Sequence, residues 1–207
     1  MISHKYQCIF VHIPKTGGSS IEDVIWPGER TEADLWMGFV SRYRNKYQTG
    51  GLQHLLARQI REEVGAEVFD SYFKFTFVRN PWDKAVSQYA SMRDRTDLRE
   101  LISMAPNASF SEYLQLTEAH HHIQWERQVE FIRDEDLVPM VDFVGRFENL
   151  EHDAQVIFQQ LGIRCRHLPH RNRSKRRHYR KYFDDRSREW VHSRYKEDVG
   201  EFGYDFD

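Results

Sequence analysis

The sequence predicts an α/β domain on a parallel sheet, because strand-like runs turn into helix-like runs at sharp junctions. The first apolar run ends at Ile13-Pro14, and Ile21, Val24 and Ile25 then recur at helical spacing. The second is Phe73-Lys74-Phe75-Thr76-Phe77-Val78, aromatic and β-branched by turns, which gives way at Asn80-Pro81 to a helix with Ala85, Val86, Tyr89 and Met92 as its stripe. Strands alternating with helices need right-handed crossovers and so a parallel sheet. The predicted order is strand 6–13, helix 18–26, irregular 27–50, helix 52–64, strand 73–78 and helix 81–92. Short helices near 109–116 and 120–132, strand 141–146, helix 149–161, a basic stretch and a helix near 184–198 follow. At 207 residues, a single domain over 1–207 is expected.

Between the first strand and its helix lie Lys15-Thr16-Gly17-Gly18-Ser19-Ser20. Glycines let successive N–H groups turn inward on an anion, the helix adds its positive end, and Lys15 adds a mobile charge. This is a cradle for a phosphate or sulfate ester. It is not the nucleotide triphosphatase loop, in which Gly-Lys-Ser/Thr comes last and the hydroxyl holds magnesium. An ordinary strand–turn–helix is the alternative.

At the second junction Asn80 suits an N-cap, Pro81 the first helical position, and Asp83 the helix dipole. Arg79 stands at the carboxyl end of a strand, where open α/β sheets bind ligands. Ser87 lies about two turns into the helix. A guanidinium fork and a hydroxyl can hold a second phosphate.

Net charge is −2, which excludes a generic nucleic-acid or membrane-surface binder. The charge is uneven, since 164–181 carry nine Arg and Lys and no acidic residue. That run reads either as a solvated loop or as a basic lid over an anionic ligand. Cys8 and Cys165 have no metal-ligand spacing and form no disulfide framework, which points to a reducing compartment. No run approaches the ~20 apolar residues of a membrane span, and the first strand starts close to Met1, so a cytoplasmic protein without membrane insertion is expected. His120-His121-His122 do not suit one metal ion if helical, because consecutive side chains then point about 100° apart.

The stretches HIPKTGGSS and FVRNPWDKAVSQY together resemble the two cofactor signatures of sulfotransferases that use 3′-phosphoadenosine 5′-phosphosulfate (PAPS). The nearest likeness is to the carbohydrate enzymes of the heparan 2-O- and chondroitin 4-O- type. Val141–Glu148 resembles that family's later core strand. Asn172, Ser174, Tyr179 and Tyr182 resemble its C-terminal cofactor-side segment. The resemblance implies a three-layer α/β sandwich with a central parallel sheet and P-loop-like topology. It implies that Lys15, Thr16, Gly17, Gly18, Ser19 and Ser20 grip the 5′-phosphosulfate. Arg79 and Ser87 then take the 3′-phosphate, with Asn172, Ser174, Lys175 and Arg177 closing the cofactor site.

The resemblance also puts a catalytic histidine between the signatures, which makes His54 the candidate base for the acceptor hydroxyl. General-base removal of that proton is worth about 10²–10⁴-fold. A surface or capping histidine is the alternative. Lys15 is expected to stabilise charge on the departing phosphate. Glu148 reads as structural, with orientation of His54 or Lys15 as its other reading. Trp36, Tyr43 and Tyr47 are mainly core candidates that can instead stack on a sugar. The implied function is direct transfer of a sulfuryl group from PAPS to a hydroxyl, of a carbohydrate, with no metal required. The rival readings are a magnesium-dependent small-molecule kinase on the same fold and a non-catalytic binder of sulfated or phosphorylated glycans.

Overall fold

In a computed structural model of the chain, residues 1–28, 54–93, 95–169 and 176–207 are described. The strands are β1 (Ile2–Ser3), β2 (Cys8–Val11), β3 (Phe73–Val78) and β4 (Phe143–Arg146). The helices in chain order are α1 (Gly18–Ile25), α2 (Ala57–Val64), α3 (Ala66–Ser71), α4 (Pro81–Met92), α5 (Thr96–Leu101), α6 (Phe110–Glu118), α7 (Gln128–Ile132), α8 (Leu150–Gln160), α9 (Asp185–Arg194) and α10 (Lys196–Phe202). The described residues fall into two compact units, one of 1–28, 54–78 and 128–169, the other of 79–93, 95–127 and 176–207.

The first unit holds the sheet, in the order β1-β2-β3-β4. β2, β3 and β4 run parallel, with Phe10 opposite Phe75 and Phe75 opposite Phe143. On one face Phe10 and Phe75 stack at 5.0 Å between ring centres. Ile21 and Ile25 of α1 and Ala154, Ile157 and Phe158 of α8 belong to the same core. The alternate positions Ile9, Val11, Thr76 and Val78 are buried as well. Burial of both faces is what helices on either side of a parallel sheet produce. The expected layered α/β architecture with a central parallel sheet is therefore present.

β1 departs from expectation by pairing antiparallel with β2, Ile2 opposite Ile9. Two residues give no periodicity to read. The strand expected over 6–13 is confined to Cys8–Val11, because residues 4–7 turn, with Gln7 at φ +49°.

In the second unit the core gathers Trp82, Val86, Met92, Leu98, Phe110, Tyr113, Trp125 and Val191. Within it, buried aromatic polar groups pair with one another, as burial favours. Trp125 donates to the Tyr113 hydroxyl at 2.9 Å, and the Tyr195 hydroxyl donates to the Trp125 carbonyl at 3.0 Å.

Several predicted helices differ from those found. The one expected over 52–64 begins at Ala57, after non-helical residues 54–56, where Gln59 Oε1 takes the Leu56 N–H at 2.9 Å. The one expected over 120–132 is a 3₁₀ turn, Ile123–Trp125, and then α7, since Glu126 is extended. His120-His121-His122 precede it in non-helical chain, so the helical spacing argument does not apply to them. The last predicted helix is split at Tyr195 into α9 and α10. The short α3 and α5 were not anticipated.

Candidate functional site

The first junction builds its loop by backbone conformation. Lys15 (φ +68°) and Gly17 (φ +88°) are left-handed, with Thr16 between them. Such changes of hand turn neighbouring N–H groups toward one side, the geometry of an anion nest. Thr16 is fully buried, and its hydroxyl donates to the Ile13 carbonyl at 2.8 Å. That hydroxyl braces the loop, so Thr16 has its backbone N–H to offer a ligand. Gly17 caps α1 without a side chain, and the first turn carries no acidic residue to compete with an anion. Ser19 is half-buried and Ser20 buried.

Both glycines are required by close approach. A Cβ on Gly17 would sit 2.8 Å from Leu150 Cδ2, and one on Gly18 only 2.2 Å from His12 Nε2. The His12 ring therefore lies directly against the first residue of α1. It stacks on Phe10 at 5.1 Å, and its Nδ1 lies 2.6 Å from Glu22 Oε1, somewhat off the hydrogen-bond direction.

His54 is only 6 % exposed and lies in non-helical chain, whereas a place within a helix over 52–64 was expected. The chain at 54–56 is non-helical, and the ring lies edge-on to His12 at 4.6 Å between centres. His54 Nδ1 lies 2.9 Å from the His12 carbonyl oxygen. A carbonyl only accepts, so Nδ1 carries the proton and Nε2 carries the lone pair. Burial first, then the neighbouring His12, holds the His54 pKa well below the usual histidine value, with Lys15 and the Met1 amino group adding to the effect. The neutral ring is a proton acceptor at Nε2.

The second unit contains the other anion candidates. Asn80 caps α4 by accepting from the N–H groups of Trp82 at 3.1 Å and Asp83 at 3.4 Å. Arg79 is 5 % exposed and gives Nε and Nη2 to Asp83 Oδ2 at 2.9 and 2.7 Å. Arg176 ion-pairs with the other Asp83 oxygen. One carboxylate thus holds two guanidiniums, an arrangement with one net positive charge. Ser87 is buried on the second turn of the same helix.

Of the residues expected from the C-terminal segment, Arg177 is exposed, and its neighbour Arg176 is the one that joins Arg79. Asn172, Ser174 and Lys175 lie outside the described residues, as do Trp36, Tyr43 and Tyr47. Glu148 is exposed in a 3₁₀ turn just past β4, because the strand ends at Arg146. The acid beside the His54–His12 pair is instead Glu22. Its sequence signal was a carboxylate set between Ile21 and Ile25 on an apolar helix face. Arg176 had no such signal, being one of nine cations in a run.

Among the described residues, no group of three or more His, Cys, Asp or Glu is placed to hold a metal ion, and no helix is long and apolar enough to cross a membrane.

Comparison with known proteins gives this arrangement its context. An uncharacterized protein of Archaeoglobus fulgidus is 33% identical over 107 residues, which are 52% of this chain and 82% of the relative. No solved structure matches the chain. The model of the sulfotransferase family, whose fold is P-loop-like, matches residues 1–205 and so takes in both junctions and both units. With the lysine–glycine loop at one junction and a buried arginine at the other inside that match, the chain belongs to the sulfotransferase family.

Proposed function

We propose that the protein transfers a sulfuryl group from PAPS to a hydroxyl of a carbohydrate, directly and in line, in the cytoplasm and without a metal. Residues 1–207 are read as one sulfotransferase domain, since a single family model runs through both units. The observation that carries the reading is the His54 imidazole. It is buried beside the Lys15 loop, with its Nδ1 proton committed to the His12 carbonyl and its Nε2 lone pair left for a substrate proton.

The loop fits the donor's phosphosulfate, because its changes of backbone hand and its uncapped helix start suit a tetrahedral anion. Backbone N–H groups of Thr16 to Ser20 hold the non-reacting oxygens. Arg79 and Ser87 take the 3′-phosphate, and Asn172, Ser174, Lys175 and Arg177 are assigned to the same nucleotide. The donor supplies an activated sulfur with adenosine bisphosphate as leaving group. As the acceptor oxygen bonds to sulfur, its proton passes to His54 Nε2. The bond from sulfur to the phosphate oxygen breaks, and Lys15 meets the charge left on that oxygen.

Calorimetry with 3′-phosphoadenosine 5′-phosphate (PAP), without magnesium and beside ATP, tests the reading. Micromolar binding of PAP alone is expected, on the order of −8 kcal/mol. Arg79→Ala should lose about 2–3 kcal/mol of it, a charge-assisted bond to phosphate. Tighter, magnesium-dependent ATP binding would overturn the sulfotransferase reading in favour of a kinase. Retention of sulfuryl transfer by His54→Ala would remove the assigned base.

A further inference from the structure

Glu22 and His12 are 1 % and 4 % exposed, and the transfer chemistry gives neither of them a task. A carboxylate taken out of water is costly unless it is paired, so its place on the apolar face of α1 calls for a reason. Glu22 stands one helical turn after Gly18, on the same side of α1. The His12 ring fills the space against Gly18, lies flat on Phe10 at 5.1 Å, and brings Nδ1 to 2.6 Å from Glu22. Three neighbours from two elements therefore confine the His12 ring. The His12 carbonyl is the group that accepts the His54 Nδ1 proton.

We propose that Glu22 and His12 form a buried positioning pair that holds the His12 carbonyl in place, so that His54 keeps its proton on Nδ1 and presents Nε2 as the base. The inference rests on the reading of His54 as that base. Neither Glu22 nor His12 touches the reacting atoms; they act through His54. A neutral imidazole exchanges its proton between two nitrogens, and only one tautomer has its lone pair on Nε2. A carbonyl that drifts releases the ring to both forms. The same pair brings the chain just past β2 against the middle of α1, so the base and the loop between the two elements share one support.

The decisive measurement is nitrogen NMR of the full chain labelled with 15N-histidine, with His54 assigned by the signals that His54→Ala removes. At neutral pH the wild-type ring should show a protonated Nδ1 and an unprotonated Nε2. In Glu22→Gln the two nitrogens should move toward averaged shifts, with Glu22→Asp intermediate. Turnover of PAPS with water as acceptor should fall about tenfold to a hundredfold in Glu22→Gln, as for a displaced catalytic group. PAP binding should stay near the wild-type value. A wild-type His54 protonated on Nε2 overturns the proposal, and so do Glu22 variants with unchanged ring shifts and turnover. If Glu22→Gln does not fold, the wild-type tautomer and Glu22→Asp decide. Full turnover in His54→Ala would sink the base assignment instead, and the pair would then stand or fall on the ring shifts alone.

Discussion

At the scale of single residues, the site depends on close approaches that leave no room for adjustment. Gly18 is the sharpest case. A methyl group there would meet His12 Nε2 at 2.2 Å and Cδ2 at 2.3 Å. A flexible side chain could swing away, but His12 is stacked on Phe10 and has Glu22 Oε1 2.6 Å from its Nδ1. Gly18→Ala should therefore destabilise the protein by about 1–3 kcal/mol, the usual cost of overpacking. Guanidinium denaturation of the variant measures it. It should also displace the His12 carbonyl and so alter the His54 ring shifts. A variant with wild-type stability would show that the ring moves freely, against the clamped geometry described above. The sequence showed Gly17 and Gly18 as turn-formers, but the role of Gly18 in making space for a histidine could not be read from it. That contact joins a strand end to a helix start across five intervening residues.

At the scale of elements, legibility followed the strength of the local signals. β3 and α4 occupy the expected 73–78 and 81–92, because alternating aromatics and an Asn-Pro cap fix both ends. α6 lies close to its expected place because Ser109 and Glu112 close a capping box. α3 and α5 have six residues each, too few for a periodic stripe, and the break between α9 and α10 comes at Tyr195 without a glycine or proline to announce it. Arg79 was legible as a candidate from its place at a strand end, while the Asp83–Arg176 contact that extends its bridge spans 93 residues and has no local signature. The N-cap is what holds these groups at the head of α4. Asn80 Oδ1 accepts from two backbone N–H groups, and its Nδ2 donates to the Asp205 carbonyl at 2.7 Å. Asn80→Ala should cost about 1–2 kcal/mol, as for other lost caps. Because Arg79 and Asp83 flank the cap, PAP affinity should fall with it, by about tenfold or one 1.4 kcal/mol step. Calorimetry together with thermal melting separates the two effects. Lost stability with unchanged affinity would dissociate the cap from the anion site.

At the scale of the whole molecule, the two units bury different titratable groups, and alkaline pH should act on them in opposite directions. In the first unit, burial raises the Cys8 thiol from 9.0 to about 12. The folded state then holds a proton that the unfolded state has released between pH 9 and about 12, so stability falls as pH rises through that window. In the second unit, burial lowers Lys84 from 10.5 to about 8, against the opposing pull of Asp198 and Glu126. Here the unfolded state holds the extra proton between about pH 8 and 10.5, so stability rises with pH across it. Tyr195, raised by burial from 10.0 to about 12, turns the second unit downward only above pH 10. Between pH 9 and 10 the first unit should therefore lose stability while the second gains it, each at roughly 1 kcal/mol per pH unit. Guanidinium denaturation at pH 8 and pH 10 checks this with two variants. Cys8→Ala should remove the alkaline loss. Lys84→Met should remove the gain, whatever its effect at neutral pH. A wild-type fall that persists in Cys8→Ala would show that some other buried acid governs the first unit.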